Sequence, residues 1–132
     1  MSNWIVDETT EHKSWFMELD EAAQIDIYSA IAILSEIGPM LGRPNVDTLK
    51  GSRYQNMKEL RVQSNGRPFR IFFAFDPKRK AILLIGGNKE GNDRFYDEMI
   101  PKADALYEGH LKKLEKYDEK SKLTPKKKNK TR

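Results

Sequence analysis

An Asn65–Gly66 pair separates two strand-like runs of this chain, and it restricts the fold more than any other short segment. The run before it, Met57–Gln63, alternates between apolar and polar residues, whereas the run after it, Pro68–Asp76, is apolar at almost every position. Asn-Gly suits the tight hairpin turn in which both central residues take positive φ. The two runs therefore predict a β-hairpin, and a third run, Lys80–Ile85, supplies a further strand.

Charged side chains lie on the first strand of this predicted hairpin. By the two-residue period of a strand, Glu59 and Arg61 share one face with Gln63, whereas Leu60 and Val62 point to the other face. One face of the hairpin is thus expected to pack against the core. The other face is free to carry chemistry.

Arg70 stands inside the most apolar of the three runs. A guanidinium is costly to bury unless it is paired or reaches a wet surface that holds an anion. A strand that is apolar on both sides except at one arginine is expected to be a central strand, covered on each face. Arg70 therefore predicts a phosphate site on the sheet.

Helices are predicted on both sides of the hairpin. The first covers about Glu11–Leu19, and the second covers Glu21–Ile37, with Asp20 as its cap and Gly38–Pro39 as its stop. A third helix is expected from about residue 93 onward. The aromatic residues of the first helix are predicted to belong to the core, because they recur at helical spacing.

Four shorter features complete the predicted organisation. Trp4–Val6 is a candidate strand, and Arg43–Gln55 is predicted to be a loop because of its proline, glycine and polar residues. Gly86–Asn88 is expected to break the third strand. Pro101 is expected to kink or divide the last helix, since proline removes a backbone donor.

The length of 132 residues suits one domain with a hydrophobic core. The chain has no cysteine, and His12 and His110 lie far apart, so neither a disulfide nor a zinc site nor another cofactor is expected. Asp7 and Glu8 follow a short apolar run, which is typical of neither a signal peptide nor a membrane span. The expectation is a cytoplasmic protein that uses no metal and no membrane.

The net charge of +4 is unevenly distributed. Residues 1–42 have one basic and eight acidic residues, net −7; residues 43–94 have twelve and five, net +7; residues 95–132 have eleven and seven, net +4. A basic segment on strands suits a nucleic-acid backbone, although a solvated surface is the alternative interpretation. Four residues of the middle segment are candidates for substrate binding: Lys50, Arg53, Lys58 and Arg67.

The last residues of the chain differ in composition from the rest. Lys120–Arg132 contains seven basic residues and no acidic one, and apolar residues become rare after about residue 116. Such composition predicts a disordered segment. The expected division is a domain over 1–117 and a basic tail over 118–132, which either seeks nucleic acid or ribosomes, or serves as a solubilising or partner-binding segment.

The order of these elements resembles the RelE/HigB toxin superfamily, and most of all its phage-derived, HigB-like branch. The likeness runs from about residue 4 to residue 114 and is carried by Leu60–Arg61, Phe69–Arg70–Ile71, Ile82–Ile85 and Gly86–Lys89. It implies an α+β fold in which an N-terminal strand and two helices precede an antiparallel three-stranded unit and a C-terminal helix. It also implies a toxin of a type II toxin–antitoxin module that cuts mRNA in the ribosomal A site without a metal. The implied partners are the ribosome, mRNA and a cognate antitoxin, expected to be a helix-turn-helix protein.

The resemblance also assigns catalytic roles to five residues, namely Glu59, Arg61, Arg70, Lys89 and Tyr96. Metal-free cleavage needs a proton acceptor for the ribose 2′-OH, cations for the developing charge and a donor to the leaving 5′-oxygen. Charge stabilisation falls to Arg61 and Arg70, while the acid and the base stay unassigned. Glu59 has an equally good structural interpretation as the ion-pair partner of either arginine.

Two other functions stay open at this point. A toxin of the ParE kind shares the fold but inhibits DNA gyrase, and a phage-derived RNA-binding domain has no activity. Fold alone does not separate these functions from the enzyme. The convergence of an acid and several cations on one sheet face favours the enzyme.

Overall fold

The computed structural model describes residues 3–130, with side chains over 3–118. Its elements are β1 (Val6–Glu8), α1 (Thr10–Met17), α2 (Glu21–Ile37), a 3₁₀ turn (Gly38–Met40), β2 (Val46–Thr48), β3 (Lys58–Ser64), β4 (Arg67–Phe75), β5 (Ala81–Asn88) and α3 (Phe95–Lys130). The predicted α+β fold is confirmed. Among the described residues, no helix has both the length and the apolar character needed to cross a membrane.

The five strands form one sheet in the order β1-β5-β4-β3-β2. Strand β1 runs parallel to β5, and the other neighbours are antiparallel. The prediction of a loop throughout 43–55 was wrong, because Val46, Asp47 and Thr48 pair with β3 as an edge strand. Three residues are too few to show an alternating pattern in the sequence, so pairing with β3 decides this strand.

The hairpin between β3 and β4 is confirmed. Ser64 pairs with Arg67 across a two-residue turn in which Asn65 has φ 51° and Gly66 has φ 76°. Both values lie in the left-handed region that the favoured hairpin turn requires. The turn fixes the register of the whole hairpin, and that register sets Arg61 directly opposite Arg70.

Each face of the sheet covers its own hydrophobic core. Helices α1 and α2 pack on one face, against Leu60, Val62, Phe69 and Ile71, and we call this the helical-pair face. Helix α3 packs on the opposite face, against Phe72 and its neighbours, and we call this the α3 face. The predicted alternation of β3 is confirmed, since Leu60 and Val62 join the first core. Strand β4 is the central strand, as predicted.

Gly86 and Gly87 do not break β5, contrary to the prediction; both are paired residues of the strand. Glycine is required at these two positions because each helix packs too close to the strand to leave room for a side chain. A Cβ on Gly86 would lie 2.3 Å from the Trp15 ring, and a Cβ on Gly87 would lie 2.9 Å from the Phe95 ring. The glycines therefore let α1 and α3 approach the sheet from opposite sides.

The helices and the first strand differ from the sequence pattern at several points. Helix α2 covers the predicted residues, but the Asp20 side chain makes no capping bond and accepts instead from Arg67 Nη2 at 3.1 Å. Helix α3 is not divided at Pro101. The first strand lies slightly later than predicted, at Val6–Glu8. Helix α3 continues to Lys130, so the backbone of 118–130 is helical where the sequence predicted a disordered tail. The side chains after Asp118 lie outside the described residues, and the domain boundary at 117 stays a prediction.

Candidate active site

Glu59 stands at the centre of a charged cluster on the α3 face. Strand β3 carries it beside β4, and the residue is only 4% exposed. Its Oε1 accepts from the Tyr96 hydroxyl at 2.8 Å and lies 3.8 Å from Arg70 Nε, while its Oε2 lies 3.0 Å from Arg61 Nη2. One nearly buried carboxylate thus contacts two guanidinium groups and a phenol.

Arg70 is more enclosed than Arg61, with 12% of its side chain exposed against 36%. Its Nη1 donates to the Phe69 carbonyl oxygen at 3.0 Å, but its Nε is buried and has no hydrogen-bond partner among the described residues. Arg70 faces Arg61 on one side and Gly87 on the other in the strand register. Because like charges directly opposite destabilise a sheet, the Glu59 carboxylate between the arginines offsets their repulsion.

Tyr96 enters the cluster from the first turn of α3. Its ring stacks on Phe72, with centroids 5.9 Å apart. Burial raises the pKa of the Tyr96 hydroxyl, and the hydrogen bond to Glu59 and the charge of Glu59 raise it further, against a smaller lowering by Arg70. Lys89 Nζ lies 5.6 Å from the centre of the Tyr96 ring. Because its pKa is raised, the Tyr96 hydroxyl keeps its proton at neutral pH and acts as a donor.

Asp47 is a member of the cluster that the sequence pattern did not indicate. It is the strand partner of Glu59, and its Oδ2 accepts from Arg61 Nη2 at 3.1 Å and lies 3.2 Å from Arg43 Nε. Asp47 was missed because it lies in the edge strand that was predicted to be a loop. It gives Arg61 a second anchor and brings Arg43 towards the same edge of the site.

The structure brings together all five residues predicted to be catalytic. Together with Asp47 and Arg43 they include four cations and two carboxylates, so two positive charges are left over. Both interpretations of Glu59 fit this geometry, because it pairs with arginine and also meets a proton donor. The arrangement can hold an anion against Arg70, move a proton through Glu59 and donate one from Tyr96.

The four residues predicted to bind substrate do not join the cluster. Arg53 pairs with Glu108 at 3.1 Å on α3, and Lys50 is exposed in the preceding loop. Arg67 pairs with Asp20 and lies over the Phe69 ring on the helical-pair face. Lys58 precedes Glu59 on β3, so its side chain points away from the Glu59 side, to the helical-pair face. The strand period already separates Lys58 and Arg67 from Glu59. Their role in binding substrate stays a prediction.

Known proteins match this chain over most of its length. The family described as "Phage derived protein Gp49-like" matches residues 14–108. The chain belongs to this Gp49-like family. The matched range contains every residue of the charged cluster, from Arg43 to Tyr96. The Gp49-like match also includes α2, all strands except β1, and the first part of α3.

Two relatives from Mycobacterium tuberculosis strengthen the assignment. "Putative toxin HigB2" is 49% identical over 104 residues, which is 77% of this chain and 52% of that protein, so the chain spans about half the length of this relative. "Putative toxin HigB3" is 50% identical over 98 residues, 74% of this chain and 84% of that protein. The solved structure of the isolated E. coli RelE toxin gives a TM-score of 0.47 at 9% identity, over 73% of this chain and 95% of that chain. The identity with HigB2 and HigB3 shows that this Gp49-like protein is homologous to proteins named as HigB toxins.

Proposed function

We propose that this protein is the toxin of a type II toxin–antitoxin module and that it inhibits translation by cutting ribosome-bound mRNA. The observation that carries the proposal is the convergence of Arg61, Arg70 and Tyr96 on the nearly buried carboxylate of Glu59. Identity of about half with proteins named as HigB toxins supports the toxin role. The excess positive charge supports a phosphate-containing substrate.

The proposed chemistry is transfer of the phosphate to the neighbouring 2′-oxygen. Glu59 accepts the proton of the ribose 2′-OH, whose oxygen attacks the scissile phosphorus. Tyr96 donates its proton to the leaving 5′-oxygen, so the products are a 2′,3′-cyclic phosphate and a free 5′-OH. Arg61 and Arg70 stabilise the extra negative charge on the phosphoryl oxygens. The raised pKa of Tyr96 keeps its hydroxyl protonated at neutral pH, so the proton is present for transfer to the leaving oxygen.

Substrate binding must change the pairing of the cluster. In the free protein the two guanidinium groups and the phenol are turned towards Glu59. A phosphate in the site competes for the same donors, and Arg70 Nε is a buried donor without a partner among the described residues. Drawing the arginines to the phosphate frees the Glu59 oxygens to accept the hydrogen of the ribose 2′-OH.

The test is cleavage of mRNA on purified ribosomes by an Arg70→Ala variant. Removal of one preorganised charge donor costs on the order of a hundredfold or more in rate. Arg79→Ala is the matched control, because Arg79 is exposed and lies over the Trp4 ring instead of contacting the cluster. An Arg70→Ala variant that folds and cleaves at the parental rate would contradict the proposed role of Arg70.

A second experiment separates this function from gyrase inhibition. The protein is expressed without its partner, and protein synthesis and DNA supercoiling are followed together. We expect incorporation of labelled amino acids to stop while supercoiling is unchanged. Continued protein synthesis with loss of supercoiling would replace the mRNA proposal by the gyrase interpretation.

A further inference from the structure

The helical-pair side of the molecule carries an open groove that the proposed chemistry does not use. A cavity of about 240 Å³ lies between β1, α1 and α2, and a second of about 360 Å³ lies between α1 and α2. Phe16 and Tyr28 line both cavities, so the two form one continuous depression. We call it the acidic groove, and its defining residues are Asp7, Glu8, Phe16, Glu21, Ile25 and Tyr28.

The floor of the acidic groove is apolar and exposed. Tyr28 is 70% exposed and Ile25 is 56% exposed on neighbouring turns of α2. Large apolar side chains that are grouped beside a depression are typical of protein interfaces. Scattered single residues would not carry this inference, but Tyr28 and Ile25 line the same cavity.

The rim of the acidic groove is negative. Asp7, Glu8 and Glu21 line it, and none of its lining residues is Lys or Arg. His12, which also lines it, has a pKa lowered by burial, against smaller raising effects of Glu8. His12 Nδ1 lies 2.8 Å from Glu8 Oε1, and its Nε2 has no hydrogen-bond partner among the described residues. The groove therefore repels nucleic acid and attracts a cationic protein segment.

The acidic groove and the charged cluster lie on opposite faces of the sheet. Phe16 packs against the core beneath α1 and α2, whereas Tyr96 belongs to the core beneath α3. The charge also differs between segments, with net −7 over residues 1–42, which contain α1, α2 and most of the groove lining, and net +7 over residues 43–94, which contain β2 to β5. An RNA substrate and a basic protein partner can therefore bind separate surfaces of the same molecule.

We propose that the acidic groove binds a basic amphipathic segment of the antitoxin, a step that rests on the proposed function. An apolar side chain of that segment packs between Phe16 and Tyr28, and its Lys or Arg residues face Asp7, Glu8 and Glu21. The Glu59 cluster then stays uncovered in the complex.

The experiment measures binding of the purified product of the neighbouring reading frame to variants of this chain. Tyr28→Asp places a charge on the floor of the groove, and Met40→Asp is the matched control, because Met40 is 86% exposed and lies outside the groove. We expect Tyr28→Asp to weaken binding roughly thirtyfold or more, as for an interface hot spot. Met40→Asp is expected to bind as the parent does. Glu21→Gln should weaken binding at low salt and reduce its dependence on salt.

Hydrogen exchange of the complex gives the second readout. We expect protection of backbone amides in α1 and α2, with the amides around Tyr96 unchanged. Parental affinity of Tyr28→Asp, protection confined to the α3 face, or no binding by the neighbouring product overturns the proposal. The proposal is also overturned if Tyr28→Asp abolishes self-association of this protein but leaves its binding to the antitoxin unchanged.

Failure of the proposed function is distinguishable from failure of this inference. Tyr28→Asp without antitoxin should cleave ribosome-bound mRNA at the parental rate, because Tyr28 is far from the cluster on the other side of the sheet. If the parent binds the neighbouring product through the groove but cleaves no mRNA, the docking surface stands and the nuclease proposal falls. If the parent cleaves mRNA but Tyr28→Asp binds the neighbouring product with parental affinity, the nuclease proposal stands and the docking surface falls.

Discussion

Replacement of Glu59 by glutamine separates the structural from the catalytic role of this carboxylate. The Glu59 side chain is 5% exposed and that of Arg70 is 12% exposed, so solvent screens their interaction little. Loss of one partner from a fully buried ion pair costs about 3–5 kcal/mol of unfolding free energy. That range is the upper limit for Glu59→Gln.

Three contacts lower the expected cost below that limit. Arg61 keeps Asp47 at 3.1 Å, and the amide oxygen of Gln can still accept from Tyr96. The Arg70 contact is 3.8 Å long, which is beyond hydrogen-bond distance. We therefore expect Glu59→Gln to lower the unfolding free energy by about 1–3 kcal/mol. The midpoint of thermal unfolding should fall by roughly 4 °C for each kcal/mol.

Catalysis should suffer far more than stability. Loss of a positioned general base costs about 10²–10⁴ in rate. The assay pairs urea unfolding with single-turnover cleavage on saturated ribosomes at a temperature where both proteins are folded. Glu115→Gln is the control, because Glu115 is an exposed acid on α3.

Two results would contradict this prediction, one for the catalytic role of Glu59 and the other for its structural role. A folded Glu59→Gln variant that is destabilised yet cleaves within tenfold of the parent would leave Glu59 with its structural role alone. An unchanged unfolding free energy would show that Arg70 does not depend on Glu59 for its burial.

Three further predictions follow from the structure. Gly86→Ala should lower the unfolding free energy by about 2 kcal/mol, as measured by urea unfolding, because its Cβ would lie 2.3 Å from the Trp15 ring; parental stability would contradict the close packing. Burial raises the pKa of Asp76, but hydrogen bonds from His110 and two backbone amides outweigh it, so the pKa is lowered. The stabilisation is present above the unfolded value of about 3.9 and is lost as pH falls through the folded value, so Asp76→Asn should flatten unfolding free energy against pH below about 4; an equal slope in both proteins would refute this. Truncation after Tyr117 should reduce the salt dependence of ribosome binding and leave single-turnover cleavage intact; loss of cleavage would place the tail in or beside the site.

Local patterns of the sequence determined the elements that depend on near neighbours. The Asn65–Gly66 turn needs only its own backbone preference for positive φ, and that preference set the register that places Arg61 opposite Arg70. The apolar residues of Glu21–Ile37 likewise predicted a helix with the observed bounds. The alternation of β3 assigned Glu59 and Arg61 to one face before the structure showed what covers it.

Residue type also indicated the chemistry of the candidate site. An arginine in an apolar strand, an acid on the neighbouring strand and a tyrosine after the last strand pointed to one cluster, and all three meet in the structure. The same alternation could have excluded Lys58 and Arg67 from the cluster, since each lies an odd number of residues from a member on its own strand.

Contacts between distant segments decided what the sequence alone could not show. Val46–Thr48 is a strand only because β3 offers it hydrogen bonds, and that pairing brings Asp47 to Arg61. The glycines of β5 look like strand breakers, yet they are required where α1 and α3 press against the sheet. In each case the local sequence permits several conformations, and the free energy of packing and pairing with residues far along the chain selects one of them.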